Sequence, residues 1–378
     1  MKCDIIIPVW NQLGPTKRCI ESIQKNTKCP YRLILIDNNS DGETRDYLRN
    51  LAEQDRSAVL IRNEENLGFI KATNRGLGIS DKPYVCLMNN DAEVTWGWLT
   101  EMISVAESDP AIGLVNPRSK GPDKTYPRSY LKGSTRQSSR YLETNQCMGY
   151  CMLIKRVVLE KIGYLDEAYG LGGFDDTDFS KRAHIVGYKC VCAKDAYVFH
   201  KWHTSFNAAG DREALVKRNE AIFFSKWGRY LRIGYPISPS REKDLCTDIN
   251  TSLGLAREWN WVHAWVSANS ELKKSVYFSD LPEHQSLRLF NMSGIKAIFY
   301  IEVLFKLIER RLKGKKLFDV ILVSDKGLLR VLSLFKEIFS FPLIYIGGDE
   351  FQAKAASEET WRRRAKEIVG LINKRRNR

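Results

Sequence analysis

The 378-residue sequence lacks the marks of several protein classes at once. Its nine cysteines are odd in number and scattered, with neither a CxxC pair nor the His spacing of a zinc site. That pattern argues against a disulfide framework and a structural zinc, and it predicts reduced, mostly buried thiols. No apolar run reaches the roughly 20 residues that a membrane-crossing helix needs. The most apolar stretches, 295–308 and 320–335, are broken by Lys, Glu or Asp well before that length. The N-terminus has one Lys and then a short strand pattern broken by Asp4 and Pro8, too short for the apolar core of a secretory leader. A cytosolic chain without a transmembrane helix is expected, and no internal repeat is visible. Negative charge is also in deficit, with 59 Lys and Arg against 45 Asp and Glu and a net charge of +14. Such a surplus attracts nucleotide phosphates, anionic glycans, acidic membrane faces and nucleic acid without choosing among them. It is densest in the C-terminal part, in clusters at 310–316, 362–364 and 374–378.

What is present is a packed α/β chain. Apolar content of 43% and the length together favour two domains. Short Ile, Leu and Val runs alternate with amphipathic stretches: strands at 3–9, 32–36, 58–62 and 84–88, and helices near 15–26, 44–54 and 70–79. This is the rhythm of a mostly parallel sheet, whose ligands bind beyond the strand C-termini. Residues 118–145 lose the periodicity and are expected to form a mobile loop. A break at 235–240, with two prolines and two serines, reads as a linker. The expected division is 1–235 and a smaller α/β unit over 241–378, with strands near 261–266, 275–278, 320–323 and 343–346.

Polar segments stand where such a sheet would place them. Ile7-Pro8-Val9-Trp10-Asn11 ends the first strand and Ile36-Asp37-Asn38-Asn39-Ser40-Asp41-Gly42 the second. A carboxylate there can accept from a ribose or base, although the second segment alone is equally a turn with Asx hydrogen bonds. Asn66-Leu67-Gly68 opens a helix carrying Asn74, a place for an anion or simply a cap. Asn89-Asn90-Asp91-Ala92-Glu93 ends an apolar strand abruptly in polar and acidic residues. Gly172-Gly173-Phe174-Asp175-Asp176-Thr177-Asp178 begins a helix with three carboxylates, more than capping requires. His200 and His203 follow a short strand, and Gly149 lies within Cys147-Met148-Gly149-Tyr150-Cys151.

In this order and spacing the segments resemble the inverting GT-A-fold glycosyltransferases of the rhamnosyltransferase-like family 2, over residues 3–227. The resemblance implies transfer of a sugar from a nucleotide-sugar donor to a hydroxyl, with Mn²⁺ or Mg²⁺ bridging the donor diphosphate. It implies that Pro8, Asn11, Asp37, Asn66, Gly68, Asn74, Asn89, Asn90 and Gly149 bind the donor, with Gly149 leaving room for the sugar. Asp91 would be the metal ligand, because the family's Asp-X-Asp element has Asn at its first position here. Glu93 would have an outer-shell role, and His200, with His203 in reserve, would approach the metal. Asp176 would be the general base, with Asp175 or Asp178 in that role if the alignment slips by a position. Trp96 and Trp98 are expected in the core rather than at the acceptor. The implied acceptor is a surface polysaccharide or lipid-linked glycan, with a location at the inner membrane face. Hydroxylated bases in DNA are the rival acceptor, and a binding protein without activity the rival class. Residues 318–325 and 341–350 resemble the N-terminal half of GT-B glycosyltransferases, either a fragment of a longer protein or a binding platform.

Overall fold

The computed structural model describes residues 2–119, 140–200, 212–239, 242–267, 283–335, 342–346, 363 and 365–372. The chain divides into two compact units, Met1–Gly228 and Arg229–Arg378. Among the described residues no helix is long and apolar enough to cross a membrane. All nine cysteines are free thiols, seven of them buried.

The first unit begins with alternating strands and helices: β1 (Cys3–Val9), α1 (Leu13–Asn26), β2 (Tyr31–Asp37), α2 (Gly42–Gln54), β3 (Ala58–Arg62), α3 (Gly68–Ile79) and β4 (Tyr84–Met88). Strand-to-helix returns of this kind favour parallel neighbours, and β3, β2, β1 and β4 pair in parallel in that order. The helices form where apolar spacing allows: α1 buries Thr16, Cys19, Ile20 and Ile23 along one stripe. The Asp41 side chain caps α2 by accepting from the Thr44 N–H at 3.0 Å.

The remaining elements of this unit are β5 (Ala92–Val94), α4 (Trp98–Glu107), β6 (Ile112–Ser119), β7 (Tyr141–Thr144), β8 (Cys151–Lys155), α5 (Arg156–Ile162), α6 (Asp175–Ile185), β9 (Lys189–His200) and α7 (Arg212–Trp227). The sheet runs β3-β2-β1-β4-β8-β6-β9-β5, with β7 also on β9. β6 and β9 share the direction of the first four strands, while β5, β7 and β8 oppose it. The expected loop over 118–145 is thus strand at both ends, and 120–139 lies outside the described residues.

The second unit holds a fully parallel sheet in the order β12-β11-β10-β13-β14. Its elements are β10 (Arg232–Ile237), α8 (Glu242–Arg257), β11 (Trp261–Ser267), β12 (Leu287–Met292), α9 (Lys296–Leu312), β13 (Val320–Val323), α10 (Lys326–Leu334) and β14 (Leu343–Tyr345). β10 corrects the linker expectation, because Tyr235 and Ile237 are buried core residues. Pro236 is tolerated because the pairing of β10 with β13 spans only Ile233 and Gly234. The strand expected at 275–278 lies outside the described residues. Period-two alternation splits β11 between two cores. Val262, Ala264 and Val266 pack with Leu245 and Ile249 of α8, while Trp265 packs with Phe299, Val303 and Leu307 of α9.

Candidate active site

The ends of β1, β2 and β3 are sewn together by short polar side chains. Asn11 and Gln12 turn the chain in the left-handed region, at φ 55° and 59°. The Asn11 N–H donates to Ser40 Oγ at 3.0 Å, and Asn11 Oδ1 accepts from the Asp41 N–H at 2.7 Å. Asp37 is fully buried, with one carboxylate oxygen accepting from the Ser40 N–H at 2.8 Å and the other paired with the Arg62 guanidinium. Asn38 donates to Asn66 Oδ1 at 2.6 Å and accepts from Asn63 Nδ2 and the Leu67 N–H. Pro8 stands past the last residue pair of β1 with β4, Ile6 and Leu87. It therefore borders the crevice where strand order reverses, the place at which open sheets bind ligands.

Several residues expected at the donor are framework instead. Asn66 Oδ1 accepts from the Gly68 N–H at 2.9 Å as well as from Asn38, so its acceptor holds the turn into α3. Asn74 donates to the Leu165 carbonyl and to Glu167, both at 3.0 Å, and accepts from the Leu165 N–H, which fixes α3 to the segment before α6. Asn90 is buried and donates to Thr16 Oγ1 at 2.9 Å. Asp37 is buried too deeply to meet a ligand directly as it stands, and the group it orients toward the surface is Arg62.

The metal side is built by strand pairing. Ala92 of β5 lies opposite His200 of β9, which places the imidazole beside Asp91 with Nε2 at 3.1 Å from the carboxylate. Asn89 Nδ2 is also 3.1 Å from that nitrogen. In the tautomer with the proton on Nδ1, the single lone pair of Nε2 can serve either Asn89 or a divalent cation shared with Asp91. One oxygen and one nitrogen donor of this kind fit such an ion. Among the described residues no group of three His, Cys, Asp or Glu could hold a metal, so the remaining ligands would be donor phosphate and water. Glu93 is not near this pair in function: it is bound by Arg18 at 3.0 Å on the surface. Trp98 is buried with its indole N–H on Thr27, whereas Trp96 is 62% exposed beneath Lys28, against the core expectation. His203 lies outside the described residues.

The acidic helix α6 follows a left-handed run, with Gly172, Gly173 and Phe174 at φ 126°, 91° and 71°. Phe174 lacks the freedom of glycine there, so the run needs support. Asn219 of α7, fully buried, supplies it by donating to the carbonyls of Tyr169, Gly172 and Gly173 at 2.8, 3.0 and 3.0 Å. Phe223, one turn on, packs on the Phe174 ring at 5.6 Å.

The three carboxylates then diverge. Asp178 has no exposed surface and is held by Arg182, Lys226 and the Trp227 indole, each at 2.8 Å. It joins α6 to α7 and cannot receive a substrate proton, which removes it from the expected base candidates. Asp175 is buried, accepts from the Gly173 N–H at 2.7 Å, and is pushed up to about 7, first by burial and then by Asp176. Asp176 is partly exposed, and its burial outweighs the hydrogen bonds from Gly149 and Thr177, so it too is raised above the usual carboxylate range. Its Oδ2 accepts from the Gly149 N–H at 3.0 Å.

Two consecutive residues tie these parts into one site. Gly149 binds Asp176, and a Cβ on Gly149 would stand 3.9 Å from both Asp176 and Phe69, the second residue of α3. Tyr150 accepts the Asn89 N–H on its carbonyl at 3.0 Å and stacks its ring on His200 at 5.0 Å. Asn219, Lys226 and Trp227 were the functional supports that sequence reasoning passed over. With Phe223 they fall on one stripe of α7, and that periodicity was the available signal.

The crevice at the strand ends, the Asp91 and His200 pair and the raised Asp176 are thus brought together in the first unit. Residues 4–163, all within the first unit, match the model of glycosyl transferase family 2. The chain is similar to the uncharacterized protein y4gI of Sinorhizobium fredii, 25% identical over 52% of this chain and 24% of that protein. It is also similar to glycosyltransferase AglE of Haloferax volcanii, 23% identical over 52% of this chain and 66% of that protein. The chain thus spans about a quarter of the one and about two thirds of the other. Among solved structures it is similar to GalNAc-T7 with UDP, GalNAc and Mn²⁺, with a TM-score of 0.47 and 16% identity over 54% of this chain and 44% of that chain.

Proposed function

We propose that the chain transfers a sugar from a nucleotide-sugar donor to an acceptor hydroxyl with inversion at the anomeric carbon. The observation that carries this reading is the Gly149-Tyr150 step, which joins Asp176 to the Asp91 and His200 pair. Asp176 takes the proton of the acceptor hydroxyl as that oxygen bonds to the anomeric carbon, and the bond from that carbon to the diphosphate breaks on the opposite face. A carboxylate raised toward neutrality is the better base for a hydroxyl, because proton transfer is then less uphill. Asp91 and His200 would hold Mn²⁺ or Mg²⁺, which when bound supplies positive charge to the departing nucleoside diphosphate. Asn11, Asp37 and Arg62 shape the nucleoside end of the crevice, and Gly149 leaves the sugar its space.

The acceptor in this reading is a surface polysaccharide or its lipid-linked precursor, met at the inner face of the membrane. Helix α9 supports it: Ile298, Ile301, Phe305, Ile308 and Leu312 form an exposed apolar stripe that ends in a basic cluster. The experiment is release of nucleoside diphosphate from UDP-, GDP- and dTDP-sugars with Mn²⁺ or Mg²⁺, for the intact protein and Asp91→Ala. Release of one nucleotide that needs metal and disappears in the variant supports the reading. Equal release by the variant overturns the metal role, and turnover only on hydroxymethylated DNA overturns the acceptor class.

A further inference from the structure

On the α9 side of the second sheet a cavity of about 600 Å³ opens near the beginnings of the strands. Its floor is made of neighbours in register, which share a face of the sheet: Arg232 beside Trp261, His263 beside Arg288, and Trp265 beside Phe290. The space over this floor is kept partly by Gly234, opposite His263, where a Cβ would lie 2.5 Å from Ile321 and 3.0 Å from Trp265. The last turns of α9 and the loop after it form the other wall, with Lys306, Arg310 and Lys315.

The lining carries seven Lys and Arg side chains against one carboxylate, Glu309, which is already paired with Lys306 at 3.4 Å and Lys313 at 2.5 Å. The crowding registers on its neighbours. Burial first, then Arg232 and Arg288, lower the Arg310 pKa. Burial and then Arg310, Arg288, Lys315 and Arg232 draw His263 down to about 4, so its ring is neutral at pH 7 and packs against Phe290 and Phe318. Capping of the α9 C-terminus explains part of this charge, since Lys313 and Lys315 stand where helix carbonyls end. Arg232 and Arg288 come from strands and cap nothing on α9.

We propose that this cavity binds a nucleoside-diphosphate-type ligand, its ring on Trp261 and Phe290 and its phosphates among Arg232, Arg288, Arg310 and Lys315. A diphosphate concentrates several negative charges in one small group, as the excess of cations requires, whereas a uronic acid brings one per ring. The volume suits a nucleotide. The position is opposite to the strand C-termini at which open α/β sheets hold ligands, and the site is separate from the transferase crevice of the first unit.

The test uses the full chain and follows the His263 ring signal by NMR while UDP, ADP, inorganic pyrophosphate, an oligouronate or a single-stranded oligonucleotide is added. His263→Gln assigns the signal, which reports only on this cavity, so a nucleotide held by the first unit does not imitate the result. Nucleotide should raise the His263 pKa. Arg288→Gln with Lys315→Gln, both exposed positions that leave the fold intact, should weaken binding by roughly tenfold or more. Trp261→Ala should weaken UDP but not pyrophosphate. No change at His263 with any nucleotide at millimolar concentration overturns the proposal. So does pyrophosphate binding as tightly as UDP, or tighter binding of the oligouronate or oligonucleotide. Donor turnover is read separately, and its outcome does not bear on this one.

Discussion

The mixed sheet of the first unit and the parallel sheet of the second place their polar and charged residues at different strand ends: C-terminal in the first, N-terminal in the second. In the first unit the chemistry gathers where β1, β2 and β4 finish, and the polar groups there bind one another: Asn11 to the Asp41 N–H, Asn38 to Asn66, Asp37 to Arg62. In the second unit the cations gather where β10 and β11 begin, and they crowd one another with a single carboxylate among the lining residues. The first arrangement is a site whose geometry is set before a ligand arrives, which suits catalysis. The second is a concentration of like charge that costs stability until an anion enters, which suits binding.

The largest effect that would sharpen this contrast is on stability. Asp178→Ala removes the buried carboxylate that accepts hydrogen bonds from Arg182, Lys226 and Trp227, at a cost of roughly 3 kcal/mol. Thermal or urea unfolding measures it, and a loss below roughly 0.5 kcal/mol would break the view that this acid is structural. Gly234→Ala tests the other unit, because the added methyl must displace Ile321 or Trp265. A loss of about 1 to 3 kcal/mol is expected, with turnover of the folded protein unchanged. The smallest effect is a pH slope. Asp175 is raised in the folded protein to about 7 from an unfolded value near 4. The folded state therefore holds the extra proton between those values, and stability falls as pH rises from about 4 to about 7. Unfolding of the wild type against Asp175→Asn across that range isolates the slope, which the variant should lack.

Much of the first unit was legible because its signals are local. The strands and helices up to β4 follow from apolar periodicity, and the carboxylates at the start of α6 stand out by number alone. What the sequence could not separate is which of those acids does chemistry. Asp176 and Asp178 differ by two positions, yet the partners that remove Asp178, Lys226 and Trp227, are 48 and 49 residues away. The contacts of Asn74 were hidden for the same reason, since its partner Leu165 is 91 residues distant. β10 was hidden by Pro236 and the serines after it, a linker pattern that a strand tolerates only because one side of it is unpaired at that point. The basic cavity was invisible as a unit: its residues come from three strands, a helix and a loop, and only the cluster at 310–316 was conspicuous in one dimension.

The central claim is that Asp176 serves as the base while the strand ends and the Asp91 and His200 pair hold the donor. Asp176→Asn keeps the shape of the side chain and removes its basicity, so the measurement is sugar transfer alongside calorimetric donor binding for this variant and the wild type. Turnover reduced by roughly 10²- to 10⁴-fold, with donor affinity within a few fold of the wild type, is the predicted result. Turnover left intact, or donor binding lost together with it, would contradict the claim.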